Sequence, residues 1–187
     1  LVLLAIIIGV SSQTVHHHGQ FLHSDGTSSL VGSSNVDVDV GGAKTIDQLK
    51  DHFSNSTETF TQRYFVNDTQ WVRSNEMSPI LLCVGGEGPP LDASVLVDSV
   101  HCSDLVQYSQ QKKSLTFAIE HRYYGSSLPT KDFTSENLKK WLSTEQAAQD
   151  IRNFIIKMKK EYQIPDKTPW ITFGGSYPGM LAAISHQ

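Results

Sequence analysis

The stretch ITFGGSYPGM, residues 171–180, places one serine between glycines at the junction of two predicted elements. The apolar and β-branched residues 170–173 predict a buried strand, and the apolar segment 180–184 predicts a helix. Glycines beside Ser176 allow the strand and the helix to pack closely. The sequence therefore predicts a tight strand-to-helix turn with Ser176 at its tip.

A strand, a Gly-x-Ser turn and a helix in this order are typical of the nucleophile elbow of α/β-hydrolases. In such a turn the serine hydroxyl is an exposed nucleophile, and the backbone N–H of the next residue, here Tyr177, donates to the oxyanion. Pro178 replaces the second glycine of the usual Gly-x-Ser-x-Gly pattern, but proline is tolerated in the first turn of a helix. The alternative is a glycine-rich turn in which Ser176 only caps the helix.

A second glycine-rich loop, Gly85-Gly86-Glu87-Gly88-Pro89, follows a predicted strand at 79–85. An α/β-hydrolase takes its second oxyanion N–H from a loop in this position, so Gly86, Glu87 and Gly88 are candidate oxyanion-loop residues. The alternative is a plain tight turn. The loop lacks the Lys-Ser/Thr of a phosphate-binding loop and the G-x-G-x-x-G pattern of a dinucleotide site.

The pattern of the remaining chain predicts an α/β fold. Alternating residues in TFTQRYFVN (59–67) predict a strand, and apolar runs predict buried strands at 79–85, 114–121 and 169–173. Helices are predicted over 93–108 and from Ser143, with Gln146 as its capping-box partner. The apolar face of the second helix comprises Ala148, Ile151, Ile155, Met158 and Tyr162. Strands that alternate with helices favour a largely parallel sheet.

The N-terminal segment LVLLAIIIGVSS, residues 1–12, has the length and the small-residue end of a signal peptide. A buried strand and a signal anchor are the alternatives. Residues 13–45 are rich in Gly, Ser and His and predict a propeptide or low-complexity lead-in, followed by the folded domain at 46–187. The three histidines at 16–18 are interpreted as part of this lead-in and not as a metal site.

Two sequons, at Asn55 and Asn67, fit a secretory route and are candidate glycosylation sites. Cys83 and Cys102 could form a disulfide in that compartment, although Cys83 could equally be a buried free thiol in its apolar strand. The formal net charge of −4 argues against a nucleic-acid partner. We expect no membrane attachment once the signal is removed, and the sequence does not indicate an oligomeric state.

Four motifs occur in a fixed order within residues 47–187: DHF with TFTQRYFVN, the GGEG loop, EHRYYGSS (120–127) and FGGSYPGMLAA (173–183). Together they resemble the Pro-X carboxypeptidase and dipeptidyl peptidase II family of serine exopeptidases, and in particular its thymus-specific serine protease branch. The resemblance implies an α/β-hydrolase core with Ser176 as the nucleophile and a secreted or lysosomal (vacuolar) location. It also implies cleavage next to proline at one end of short peptides, so proline-containing peptides are the expected partners.

The acid and the histidine of the triad follow the serine in α/β-hydrolases. His121 precedes Ser176, and its segment is interpreted as structural or pocket-lining, with its charged residues paired with one another. His186 lies ten residues after Ser176 on the predicted helix, roughly 15 Å along its axis, and no Asp or Glu follows Ser176. We therefore expect the N-terminal part of a larger enzyme, inactive alone, whose last strand is an exposed sheet edge.

Three functions fit these residues. The first is a serine exopeptidase that works through an acyl-enzyme and needs no metal or organic cofactor. The second is an esterase-like hydrolase with the same elbow. The third is a non-catalytic binding protein that retains part of the fold.

Overall fold

The structure, a computed structural model, describes residues 3–7, 41–73, 78–98 and 102–185, the first of these ranges by its backbone alone. In these ranges the chain forms a six-stranded mixed sheet. The strands are β1 (Leu3–Ile7), β2 (Lys44–Leu49), β3 (Thr59–Asn67), β4 (Ile80–Val84), β5 (Thr116–Ile119) and β6 (Trp170–Gly174). The helices are a short 3-10 helix (Ala93–Leu96), α1 (Ser103–Lys112), α2 (Ser135–Trp141), α3 (Thr144–Glu161) and α4 (Tyr177–Ile184).

The strands lie in the order β1-β6-β4-β5-β3-β2. The first four in this order run parallel, whereas β3 is antiparallel to both β5 and β2. Helices connect β4 to β5 and β5 to β6, as in α/β proteins. The predicted α/β class is confirmed, with strands at all four predicted positions. The sheet is mixed because β3 runs antiparallel to both of its neighbours.

The two faces of the sheet carry separate apolar clusters. Alternate side chains of β4 divide between them: Leu82 packs on the side of α3 and α4, and Leu81 packs on the side of the 3-10 helix and α1. On the first face Phe117 stacks against Trp170 with ring centroids 5.8 Å apart. Because the central strands are covered on both faces, their side chains are buried and, apart from Thr116 in β5 and Thr172 in β6, apolar.

Helix α3 begins where the sequence predicts. The Ser143 hydroxyl accepts a hydrogen bond from the Gln146 N–H at 3.3 Å, so the predicted cap is confirmed. The reciprocal half of the capping box is wrong, because the Gln146 side chain instead binds the Asp51 carboxylate at 2.8 Å and the His52 N–H at 2.9 Å. The predicted apolar face is confirmed: Ala148, Ile151, Ile155 and Met158 are buried, and Tyr162 packs against the same cluster.

Two helix predictions differ from the structure. The single helix predicted over 93–108 is wrong, because a 3-10 turn capped by the Asp92 side chain ends at Leu96 and α1 begins only at Ser103. Helix α2 was not predicted from the sequence. None of its residues is buried, so it carries no apolar periodicity, and its start depends on the Thr134 hydroxyl, which accepts from the Asn137 N–H at 3.2 Å.

The described N-terminal backbone belongs to the sheet. β1 pairs in parallel with β6, from Leu3 opposite Trp170 to Ile7 opposite Gly174, so the expectation that β6 is an exposed edge is wrong. The signal peptide at 1–12 stays a prediction. Of the predicted lead-in, residues 13–40, including the histidines at 16–18, lie outside the described residues, and β2 begins at Lys44.

Cys83 and Cys102 form a disulfide, with their Cα atoms 6.1 Å apart. It joins the central strand β4 to the residue that precedes α1, and both cysteines are almost fully buried. The alternative of a free Cys83 thiol is thereby excluded. A crosslink across a sequence separation of 19 residues stabilises a fold by about 3 kcal/mol in the chain-entropy model.

Candidate active site

Three loops meet at the carboxyl edge of the parallel strands. The glycine-rich loop follows β4, the segment EHRYYGSS follows β5, and the Ser176 turn follows β6. The chain passes from β4 to β5 on one side of β4 and then returns to β6 on the other side. The direction of the connections therefore reverses between β4 and β6. Ligands of open α/β sheets bind at the carboxyl ends of strands where such a reversal occurs.

Ser176 has an unusual backbone conformation, with φ 57° and ψ −129°. A residue other than glycine costs on the order of 1–3 kcal/mol in such a region, and strained residues of this kind concentrate at functional sites. The side chain makes no capping hydrogen bond to α4, although Ser176 directly precedes that helix. The reading of Ser176 as a simple helix cap is therefore wrong, and the residue is exposed at the tip of the turn.

The turn closes through backbone contacts that only glycine permits. A Cβ on Gly174 would lie 2.5 Å from the Pro178 carbonyl oxygen, and one on Gly179 would lie 2.8 Å from the Gly174 carbonyl oxygen. Pro178 occupies the first turn of α4, where its missing N–H leaves no helical bond unmade. Gly179, one position after the usual glycine of the elbow, thus allows the same close approach between strand and helix.

The loop after β4 packs directly on this turn. A Cβ on Gly86 would overlap the Pro178 ring, and one on Gly85 would lie 2.7 Å from the Ile119 carbonyl oxygen. Within the loop, the Gly88 N–H already donates to the Gly86 carbonyl at 3.0 Å. Of the three predicted oxyanion-loop residues, Gly86 is therefore the one in contact with the elbow, while Glu87 and Gly88 are exposed.

Glu120, directly after β5, forms hydrogen bonds to two neighbouring loops. The buried Glu120 carboxylate accepts hydrogen bonds from the Leu91 N–H at 3.2 Å, the Ser126 N–H at 3.1 Å and the Ser127 hydroxyl at 2.6 Å. It also lies 3.6 Å from the Arg63 guanidinium on β3. The expectation that the charges of this segment pair with one another is wrong, since each reaches a different element.

Arg122 is fully buried and binds Asp150 of α3 through two bonds of 2.7 and 2.8 Å. Its remaining donors bind the backbone carbonyls of Leu49, Lys50 and Trp141. His52 completes the cluster, with Nε2 2.7 Å from the same carboxylate. Because every polar group has a partner, the buried charges are compensated and three separate segments are fixed around one guanidinium.

Sequence reasoning missed Asp150. Its carboxylate lies on the buried face of α3, between the core residues Ala147, Ile151 and Phe154. An acid among apolar residues at helical spacing was the signal that could have revealed it, because a buried carboxylate requires a partner.

His121 contacts the residue that follows Ser176. Its side chain is 5% exposed, its Nδ1 lies 2.7 Å from the Arg122 carbonyl oxygen, and its Nε2 lies 3.3 Å from the Tyr177 hydroxyl. Burial lowers the pKa of His121 below its usual value of 6.5. Burial likewise raises the pKa of Tyr177, whereas a hydrogen bond from Thr144 lowers it.

Both histidines in the described ranges have partners on both ring nitrogens. His52 binds Asp150 through Nε2 and lies 3.3 Å from the Asn153 side-chain nitrogen through Nδ1, and His121 binds Arg122 and Tyr177. Neither is arranged as a base for Ser176. His186 lies outside the described residues.

The described ranges also bear on metal-dependent and membrane-spanning functions. Among these residues no group of three or more His, Cys, Asp and Glu is arranged to hold a metal ion. Within the same ranges, none of the helices combines the length and the apolar character needed to span a bilayer.

The two sequons differ in environment. Asn55 is exposed, whereas Asn67 at the end of β3 is 9% exposed. The Asn67 amide donates to the Leu96 carbonyl at 3.3 Å, and its oxygen accepts from the Thr69 N–H at 3.1 Å and from the Thr69 hydroxyl at 2.7 Å. A glycan on the Asn67 nitrogen would need space beside the buried contact with Leu96, so the structure favours the exposed Asn55 as the modified residue.

Comparison with known proteins gives one family. The sequence profile described as Serine carboxypeptidase S28 matches residues 48–187, the part of the chain that contains all three loops of the site. That range covers most of the 187 residues.

Individual relatives agree with the profile. A Caenorhabditis elegans protein that carries a serine protease name is 39% identical over 142 residues, which cover 75% of this chain and 26% of that protein. The human thymus-specific serine protease is 36% identical over 139 residues, 74% of this chain and 26% of that protein. The human lysosomal Pro-X carboxypeptidase is 34% identical over 139 residues, which cover 73% of this chain and 27% of that protein. The chain thus spans about a quarter of the length of the curated relatives it matches.

Proposed function

The chain belongs to the Serine carboxypeptidase S28 family, and we propose that it supplies the nucleophile of a serine peptidase that cleaves peptides next to proline. The observation that carries the proposal is Ser176, held at positive φ at the carboxyl end of β6 with no capping bond to the helix behind it. A turn of this kind serves to expose a nucleophilic hydroxyl. The fold of the whole protein is then that of an α/β-hydrolase.

The chemistry assigned to the site is acyl transfer. Ser176 Oγ attacks the scissile carbonyl carbon while its proton passes to a histidine outside the described residues. The same histidine then protonates the leaving amine, and water hydrolyses the acyl-enzyme. The backbone N–H of Tyr177 and an N–H of the Gly86-Glu87 segment are proposed to stabilise the oxyanion, which the contact between Gly86 and Pro178 supports.

The substrate class follows from the relatives. One of them is named a Pro-X carboxypeptidase, and the family description also names a carboxypeptidase. We therefore assign to the whole protein the release of a C-terminal residue that follows proline. The disulfide, the exposed sequon at Asn55 and the lysosomal name of that relative support a secreted or lysosomal location.

The test uses the native protein as its source cells make it, with a fluorophosphonate probe that reacts with activated serines. We expect the probe on the peptide that contains Ser176, loss of labelling in Ser176→Ala, and normal labelling in the control Ser103→Ala at the exposed start of α1. Labelling that persists in Ser176→Ala, or none in the unmodified protein, would refute the nucleophile and leave the binding-protein function.

Two substrates then define the specificity. One is an N-terminally blocked peptide that ends in Pro-Phe, and the other is a dipeptidyl-Pro amide with a free N-terminus. Release of phenylalanine supports the carboxypeptidase, release of the dipeptide contradicts it in favour of a dipeptidyl peptidase, and cleavage of simple esters alone indicates an esterase.

A further inference from the structure

The ring of His121 has a defined tautomer. A backbone carbonyl can only accept, so the 2.7 Å contact with the Arg122 oxygen places the proton on Nδ1. In the neutral ring Nε2 is then an acceptor, and the Tyr177 hydroxyl, 3.3 Å away, is the donor. The interaction joins the end of β5 to the first residue of α4, directly after Ser176.

We propose that His121 is a positioning residue: its neutral ring holds the Tyr177 side chain and thereby orients the backbone N–H that stabilises the oxyanion. This inference rests on the proposed function, because that function assigns the oxyanion bond to Tyr177. His121 contacts no reacting atom in this role. It acts through the tyrosine alone.

The anchor of His121 is rigid. The carbonyl that fixes Nδ1 belongs to Arg122, whose guanidinium is fully buried and bonded to Asp150 and to carbonyls of three other residues. Rotation of this backbone would break several buried hydrogen bonds at once. A chain of contacts thus links Asp150 of α3, through Arg122 and His121, to Tyr177 at the elbow.

Tyr177 is held from a second side. Thr144, in the first turn of α3, also acts on the Tyr177 hydroxyl and lowers its pKa, which places it near the tyrosine oxygen on another side from His121. The ring of His121 also meets the rings of Tyr177 and Tyr124 edge-on, with centroids 5.5 and 5.3 Å away. These contacts define one orientation of the tyrosine side chain.

The arrangement requires an uncharged imidazole. A protonated ring would carry two donors, and the Tyr177 hydroxyl could no longer donate to it. The charged groups that act on His121 are Asp150 and Glu87, which favour protonation, and Arg122, which opposes it. Burial is the largest influence and lowers the pKa of His121 below its usual value of 6.5, which favours the neutral ring.

The experiment compares Tyr177→Phe, His121→Asn and the double variant in the native protein. Tyr177→Phe keeps the backbone N–H and removes only the hydroxyl. We expect kcat to fall about 10- to 100-fold in each single variant with little change in KM, because the lost orientation matters in the transition state. The double variant should be no slower than the slower single variant, because both remove the same interaction.

Tyr124→Phe is the matched control, since its ring also meets His121 while its hydroxyl takes no part in the proposed contact. It should keep kcat. The proposal is overturned if Tyr177→Phe keeps the unmodified kcat, or if the effects of the two single variants multiply. Absence of probe labelling at Ser176 in the unmodified protein would instead refute the proposed function.

A second readout does not depend on activity. In protein labelled with ¹⁵N-histidine at neutral pH, His121 should show a protonated Nδ1 and an unprotonated Nε2. Tyr177→Phe should shift the Nε2 resonance, whereas Tyr124→Phe should not. An Nε2-protonated ring at neutral pH would overturn the proposal even if both variants fold poorly.

Discussion

The ring of Pro178 lies where a β-carbon on Gly86 would have to be. Gly86 follows β4 and Pro178 belongs to the first turn of α4, so the contact joins the two segments that are assigned to the oxyanion. The contact also relates two features of the sequence: the proline that replaces the usual glycine of the elbow, and the glycine that leaves room for its ring.

Gly86→Ala should therefore displace the loop from the elbow. The added methyl group meets a ring whose position is fixed by the helix backbone, and small displacements of catalytic groups cost about 10- to 100-fold in rate. We expect kcat on the blocked Pro-Phe peptide to fall by that amount. Gly86→Ala combined with Pro178→Gly should recover part of the loss, and a double variant as slow as Gly86→Ala would contradict the steric explanation.

Gly174 and Gly175 are adjacent glycines with opposite tolerance. A Cβ on Gly174 meets the Pro178 backbone at 2.5 Å, whereas a Cβ on Gly175 meets nothing within 4 Å. Gly174→Ala should cost about 1–3 kcal/mol of stability, the usual cost of overpacking, and Gly175→Ala should stay within about 0.5 kcal/mol. Urea unfolding followed by tryptophan fluorescence measures both. Equal effects of the two variants would show that the turn is looser than described.

The parts of the fold that the sequence predicts depend on short-range patterns. The strands β4, β5 and β6 appear as mostly apolar runs because both of their faces are covered, and α3 shows a capping serine and an apolar face. The Ser176 turn is visible because glycine is needed at fixed positions around the strained residue. Each of these signals lies within a few residues of the element that it specifies.

The parts that the sequence does not predict depend on distant contacts. The bond between His121 and Tyr177 spans 56 positions, and the contact between His52 and Asp150 spans 98. No local pattern encodes such pairs, and Gln146 shows the consequence: its spacing from Ser143 predicts a capping box, but its side chain binds Asp51. For Gln146 a tertiary contact therefore decided between two possible partners.

Removal of one partner from the buried pair of Arg122 and Asp150 should strongly destabilise the fold. Asp150→Asn leaves a guanidinium without its counter-charge in a fully buried site, which costs about 3–5 kcal/mol. Asp166→Asn is the control, because Asp166 is fully exposed and lies 3.6 Å from Lys159, and exposed pairs contribute about 0–1 kcal/mol. Thermal unfolding of both variants measures the difference. Similar melting temperatures for the two would contradict the role assigned to the buried cluster.

Glycosylation should distinguish the two sequons. Asn55 is exposed, while the Asn67 amide donates to Leu96 in a site that is 9% exposed. We expect a glycan on Asn55 and an unmodified Asn67, because a glycan on the Asn67 nitrogen would require space beside the buried contact with Leu96 that the fold does not provide. Enzymatic deglycosylation in H₂¹⁸O of the protein purified from its source cells, followed by mass spectrometry, should find ¹⁸O-labelled aspartate at position 55 and native asparagine at position 67. Label at position 67 would mean that the surroundings of Asn67 open enough to admit a glycan.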